Sequence, residues 1–124
     1  MPTPARRAPE HNLQVKVLRY LRENAAPDIH WLAIPNAGRR TMRSGASLKA
    51  EGMTAGAPDL CVLLPGGFVL WLELKTAKGV LSDAQKGFRA RCLRLEHPYQ
   101  LAHSFNEAID ILAHWGAVSE RQPV

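Results

Sequence analysis

Two apolar runs, Asp59–Leu64 and Phe68–Lys75, stand on either side of Pro65-Gly66-Gly67. Each is strand-sized and rich in branched residues, and the glycines between them suit a tight reversal, so the segment reads as a β-hairpin. With a three-residue loop at 65–67, Leu64 faces Phe68, and counting outward sets Asp59 opposite Glu73. Directly opposed residues share one face of a sheet, with Cβ atoms about 4.5–5.5 Å apart. Strand alternation brings Trp71 and Lys75 to that face too, while Leu70, Leu72 and Leu74 point the other way. Two carboxylates and a lysine therefore converge at the end of an otherwise apolar hairpin. A two-residue loop would shift the register and part them.

Carboxylates this close repel unless a proton or cation lies between them. A hard divalent ion fits: Mg²⁺ takes one or two carboxylates, keeps several waters and accepts phosphate oxygens as further ligands. A neighbouring ammonium stabilises negative charge developing on a substrate. The alternative is a solvated face at Glu73 and Lys75, with Asp59 a turn residue after Pro58. The hairpin alone leaves the two readings even.

The rest of the chain supplies a frame. Residues 1–9 are rich in Pro and Arg and read as a flexible arm. From Glu10 to about Glu23, Leu13, Val17, Leu18, Tyr20 and Leu21 recur at helical spacing, and Pro9 suits the first helical position. Extending the Leu18–Leu21 stripe backwards leads through Gln14 to Glu10, so two polar residues start an inward-facing stripe. His30–Pro35 is a short strand, closed by Asn36-Ala37-Gly38. Residues 38–58 lack a period, and a loop of that length in a compact domain is usually functional or mobile. Ser82 opens a helix to about Leu95, Tyr99–His103 is a strand, and Ser104 opens a last helix that stops at Gly116. Ser82 with Gln85 and Ser104 with Glu107 both match the capping box. The order is α-β-β-β-α-β-α, an α/β domain with helices flanking a mixed sheet, and residues 117–124 read as a tail.

Charge points to a polyanion. Of the net +5, all lies in residues 1–58, where nine Lys and Arg meet four Asp and Glu; residues 59–124 hold seven of each. Arg39, Arg40, Arg43 and Lys49 concentrate it in the loop after the first strand, opposed by Glu51. Neutralising phosphates releases condensed counterions, which such a cluster exploits; a solvated basic loop is the plainer reading. The 124 residues suit one domain. No apolar run approaches the ~20 residues of a membrane helix, and no apolar segment follows the basic N-terminus as in a signal peptide. Cys61 and Cys92 lie in apolar surroundings, read as reduced core thiols of a cytoplasmic protein, and make a poor zinc site. The five histidines form no ligand spacing.

Pro58-Asp59 followed by Glu73-Leu74-Lys75 resembles the PD-(D/E)XK nuclease signature. Glu10 and Gln14 on a first helix, Pro35-Asn36-Ala37-Gly38 after a strand, Gly56-Ala57-Pro58-Asp59, and Leu81-Ser82 with Gln85 after the lysine make the whole similar to the virus-type replication-repair nuclease (VRR-NUC) family, from about Glu10 to Trp115. The resemblance implies a restriction-endonuclease-like fold. It implies metal ligation by Asp59, Glu73 and the backbone carbonyl of Leu74, with Mg²⁺ as the ion and Mn²⁺ able to substitute. Lys75 would position or activate the attacking water. Glu10 would complete the site from the first helix, as a direct metal ligand or through a metal-bound water, and Gln85 would contribute from the next one, unless its role is only to cap it. Gln14 reads as a buried support.

The expected activity is a Mg²⁺-dependent endodeoxyribonuclease acting on branched DNA such as Holliday junctions, in DNA repair. Asn36, Arg39, Arg40, Arg43, Lys49 and Lys78 are the expected DNA contacts. A nickase, a flap nuclease, an RNA-directed nuclease and a non-cleaving DNA-binding module are the alternatives. A two-fold substrate suits a homodimer, and Ile109, Ile111, Leu112 and Trp115 of the last helix are its expected interface material.

Overall fold

The computed structural model describes residues 4–35, 50–52 and 54–119, excepting the side chains of residues 4–8. The chain runs α1 (Pro4–Asn24), β1 (His30–Ala33), β2 (Leu60–Leu64), β3 (Phe68–Leu74), α2 (Asp83–Arg94), β4 (Tyr99–Ala102) and α3 (Phe105–His114). This is the expected element order, an α/β fold with a mixed sheet.

The sheet order is β1-β2-β3-β4, antiparallel except for the parallel pair β3–β4. A single 3-10 turn at Pro65–Gly67 joins β2 to β3. Leu64 pairs with Phe68 and Leu60 with Leu72, the register expected for a three-residue loop. Alternation then sorts the side chains. Leu60, Val62, Leu70, Leu72 and Leu74 join Val17 and Leu21 of α1, Ala102 of β4, and Ala108, Ile109 and Leu112 of α3 in one buried core. The opposite face, with Trp71 and Glu73, is met by α2, through Phe88 and Gln85.

The boundaries differ from the sequence reading. α1 starts at Pro4, not Glu10, and Pro9 lies inside it; Ala5-Arg6-Arg7-Ala8 are strong helix formers and carry the helix through a proline that forgoes one backbone bond. Nor does the folded unit stop at Gly116. Gly116, with φ 79°, turns the chain out of α3, Ala117 N–H donates to the Leu112 carbonyl at 2.8 Å in a Schellman closure, and Ala117 and Val118 are buried in the core. Ala26 N–H donates to Ala117 at 2.8 Å, and Val118 bridges to Ala25.

The apolar surplus assigned to α3 is spent within the protomer. Ile109 and Leu112 are fully buried, and Ile111 and Trp115 pack against the same core. Tyr20 of α1 meets Phe105 edge-on, ring centroids 5.7 Å apart. The cover comes from α1 and the sheet. Among the described residues no helix is long and apolar enough to cross a membrane. Cys61 and Cys92 are free and buried, and burial raises the pKa of both thiols.

Candidate active site

The hairpin register places Asp59 just before β2, opposite Glu73 near the end of β3. Because β2 begins only at Leu60, the Leu74 amide has no ladder partner there, and it donates to Asp59 Oδ2 at 2.8 Å. That bond fixes the Asp59 carboxylate against β3. The N–H and C=O of one strand residue point to the same side, so the Leu74 carbonyl is directed to the Asp59 side as well. The next amide, Lys75 N–H, points the other way, to Ala102 of β4 at 2.9 Å.

Glu73 is 3% exposed, the buried charged residue among the described core. Its Oε2 accepts from Gln85 Nε2 at 3.2 Å and lies 3.8 Å from the Lys75 ammonium. Its Oε1 is buried without a hydrogen-bond donor among the described residues. Burial raises its pKa to about 8, aided by repulsion from Asp59 and against the pull of Lys75; once protonated, Glu73 hydrogen-bonds Asp59. Glu10 adds a weaker repulsion from α1. A buried carboxylate oxygen with no donor, beside a second carboxylate, is poorly satisfied by protein alone and fits a cation. Asp59, Glu73 and the Leu74 carbonyl are all oxygen donors, the set a hard divalent ion prefers. Among the described residues no group of three or more His, Cys, Asp and Glu side chains is placed to hold a metal ion.

Gln85 makes both contacts that its position allowed. Its Oε1 accepts from Ser82 N–H at 2.8 Å while its backbone N–H donates to Ser82 Oγ at 3.2 Å, a complete capping box. Its Nε2 is left to hold Glu73. At α3 the box is half formed: Glu107 N–H donates to Ser104 Oγ, but the Glu107 carboxylate accepts from His103 N–H instead. Replacing Gln85 with Ala removes the side-chain half of the capping box and the Glu73 donor together. We expect a loss of about 1–2 kcal/mol in urea unfolding and a reduced cleavage rate, whereas Gln85→Glu should keep the cap and still slow cleavage.

The remaining expected residues divide. Lys78 is exposed in the turn after β3, and Gln14 is half-buried on α1. Asn36, Arg39, Arg40, Arg43 and Lys49 lie outside the described residues. Tyr99 was not legible as a site neighbour. It pairs with Trp71 across β3–β4 and so shares the Glu73 face; its hydroxyl is buried without a partner among the described residues. Burial and the Glu73 charge both raise the phenol's pKa. Parallel register across a helical crossover leaves no mark in the sequence, which hid this neighbour.

No protein-family model matches the sequence, and comparison with curated proteins finds no match. Among solved structures, one described as a VRR_NUC domain superimposes with a TM-score of 0.61 at 19% identity, covering 86% of this chain and 96% of its own. Another, described as a VRR_NUC domain protein, gives a TM-score of 0.69 at 20% identity, covering 86% of both chains. The mixed four-stranded sheet, with α2 on the carboxylate face and α1 and α3 on the other, thus has the fold of the VRR_NUC domains.

Proposed function

We propose that this protein is a metal-dependent DNA endonuclease of the VRR-NUC family, structure-selective on branched DNA such as Holliday junctions. One observation carries the reading: Asp59 and Glu73 are held together in a buried site, with an acceptor oxygen that no donor among the described residues satisfies. Protein folding alone gains little from such a pair, because each carboxylate disfavours the other.

Asp59, Glu73 and the Leu74 carbonyl would hold Mg²⁺, or Mn²⁺ in its place. A hard divalent ion bound there supplies Lewis acidity at the scissile phosphodiester. The Lys75 ammonium, 13% exposed, is oriented by Glu73 and offsets negative charge on the reacting phosphate or orients the attacking water. Gln85 keeps Glu73 in place. Glu10 completes the site from α1, directly or through a metal-bound water. Asn36, the basic loop residues Arg39, Arg40, Arg43 and Lys49, and Lys78 contact the DNA backbone, which gives position without base preference.

The test is purified protein with labelled four-way-junction, flap and linear duplex DNA, in Mg²⁺, Mn²⁺ or EDTA. Cutting should require the metal and favour the junction; Lys75→Ala should lose it by about a hundredfold or more. Binding without cutting in any metal would leave only a DNA-binding module.

We also propose that two copies act together, since a junction opens by two symmetric cuts and each chain has one carboxylate pair among its described residues. Light scattering at micromolar concentration should give twice the mass of one chain. A monomer mass would remove this part of the proposal and leave the chemistry standing.

A further inference from the structure

A second feature shares the carboxylate face. Val69 and Trp71 of β3, with Phe88, Arg91 and Cys92 of α2 and Leu95 and His97 beyond its end, line a cavity of about 250 Å³. Trp71 and Phe88 meet edge-to-face, with centroids 5.4 Å apart and planes at 71°. The Arg91 guanidinium lies 6.0 Å from the centre of the Phe88 ring. Phe88, Arg91 and Leu95 form one flank of the helix, and no β4 residue lines the cavity. Trp71 and Glu73 are two residues apart on one face of one strand, about 7 Å.

The chemistry of the walls narrows the occupant. They are apolar and aromatic, Arg91 at the rim is an exposed cation and His97 an exposed imidazole, and no acidic side chain lines it among the described residues. A cavity with apolar walls and a cationic mouth complements a flat apolar ring that carries an anion. A second copy of this chain would bring its own positive charge to that mouth.

We propose that the cavity receives an unpaired nucleobase from a strand lying across the carboxylate site, with Arg91 and His97 taking the adjoining phosphate. This rests on the nuclease reading and refines it. The favoured substrate carries a nucleotide unstacked beside the scissile bond, as at a branch or bulge. A fully paired duplex would have to unstack a base to fill the same space, at a cost in affinity. Aromatic surfaces hold unstacked bases of any sequence, so the selection is for structure.

The experiment uses the full chain in EDTA, so that binding is read without cleavage. The probes are a labelled duplex with one unpaired 2-aminopurine and the same duplex fully paired. Wild type should bind the bulged duplex about tenfold more tightly, with a change in 2-aminopurine emission on binding. Leu95 is 62% exposed, so Leu95→Glu adds a carboxylate at the rim without touching the core; it should bring the ratio to near one. Phe88→Ala should do the same, with Leu95→Glu deciding if Phe88→Ala fails to fold. Equal affinity of wild type for both probes overturns the proposal, as does a tenfold ratio that survives Leu95→Glu. Loss of a dimer in Leu95→Glu with the ratio intact also overturns it, and gives the cavity to a second copy. Adding Mg²⁺ to the same samples separates the two readings. Bulge preference without cutting keeps the cavity and removes the nuclease; cutting without preference does the reverse.

Discussion

Glu73→Gln should lose at least about a thousandfold in metal-dependent cleavage, and the same substitution should make the metal-free protein more stable at alkaline pH. Glu73 is buried with its pKa raised to about 8, against about 4.3 for an unfolded glutamate. Between those values the folded chain keeps a proton that the unfolded chain has released, so raising the pH favours unfolding. The stability is whole below about pH 4 and is lost as the pH climbs through 8. The loss is on the order of a few kcal/mol. Urea melts at pH 5 and pH 9 in EDTA should show a drop for wild type that is much smaller in Glu73→Gln. Mg²⁺ added at pH 8 should raise the wild-type melting temperature and leave the variant's nearly unmoved. A variant with the wild-type pH slope would mean that Glu73 is not the group that titrates, and the metal site would lose its main support.

The second large effect falls on a residue without a side chain. Gly56 has φ 83°, and its Cα is packed so closely on the start of α2 that a methyl group would land on the Ala84 carbonyl and crowd the Gln85 amide. Those atoms are helix backbone and cannot swing aside. Gly56→Ala should cost about 2–4 kcal/mol, from backbone strain and overpacking together, and lower the melting temperature by roughly 10 °C. Cleavage should fall as well, because the displaced segment leads through the buried Pro58 into Asp59. Gly67 separates the two causes: its φ is 81°, but nothing lies within 4 Å of an added Cβ. Gly67→Ala should therefore show the strain alone, about 1 kcal/mol. Equal losses in the two variants would show that the approach to α2 does not matter.

The hairpin was readable because two short-range facts determine it: a side-chain period of two and the length of one loop. Together they place Asp59 against Glu73 with no knowledge of the rest of the chain. Capping chemistry is equally local, so Ser82 and Gln85 marked the start of α2. Long-range packing was not readable in this way. Pro9 looked like a helix start because the sequence cannot show whether the residues before it continue a helix. Gly116 looked like the end of the domain because a helix stop and a fold boundary use the same residue, yet Ala117 and Val118 close the core. The last helix carries more apolar residues than one packing face requires, and the sequence cannot show that Tyr20 and Leu13 of α1 pack against the same core as those residues. Gln85 is the intermediate case. Its stripe position gave it an inward aim and its spacing gave it a cap, but only the two ends of one amide, seen in space, reconcile them.

That shared amide ties chemistry to the fraying of a single helical turn. First turns open and close far more often than a whole domain unfolds, and each opening at Ser82–Gln85 withdraws the donor that steadies Glu73. The lifetime of the assembled carboxylate pair is then limited by local opening at the head of α2, which amide hydrogen exchange reads, not by the global unfolding rate. Mutations that leave the melting temperature untouched can still reach the active site through this one turn.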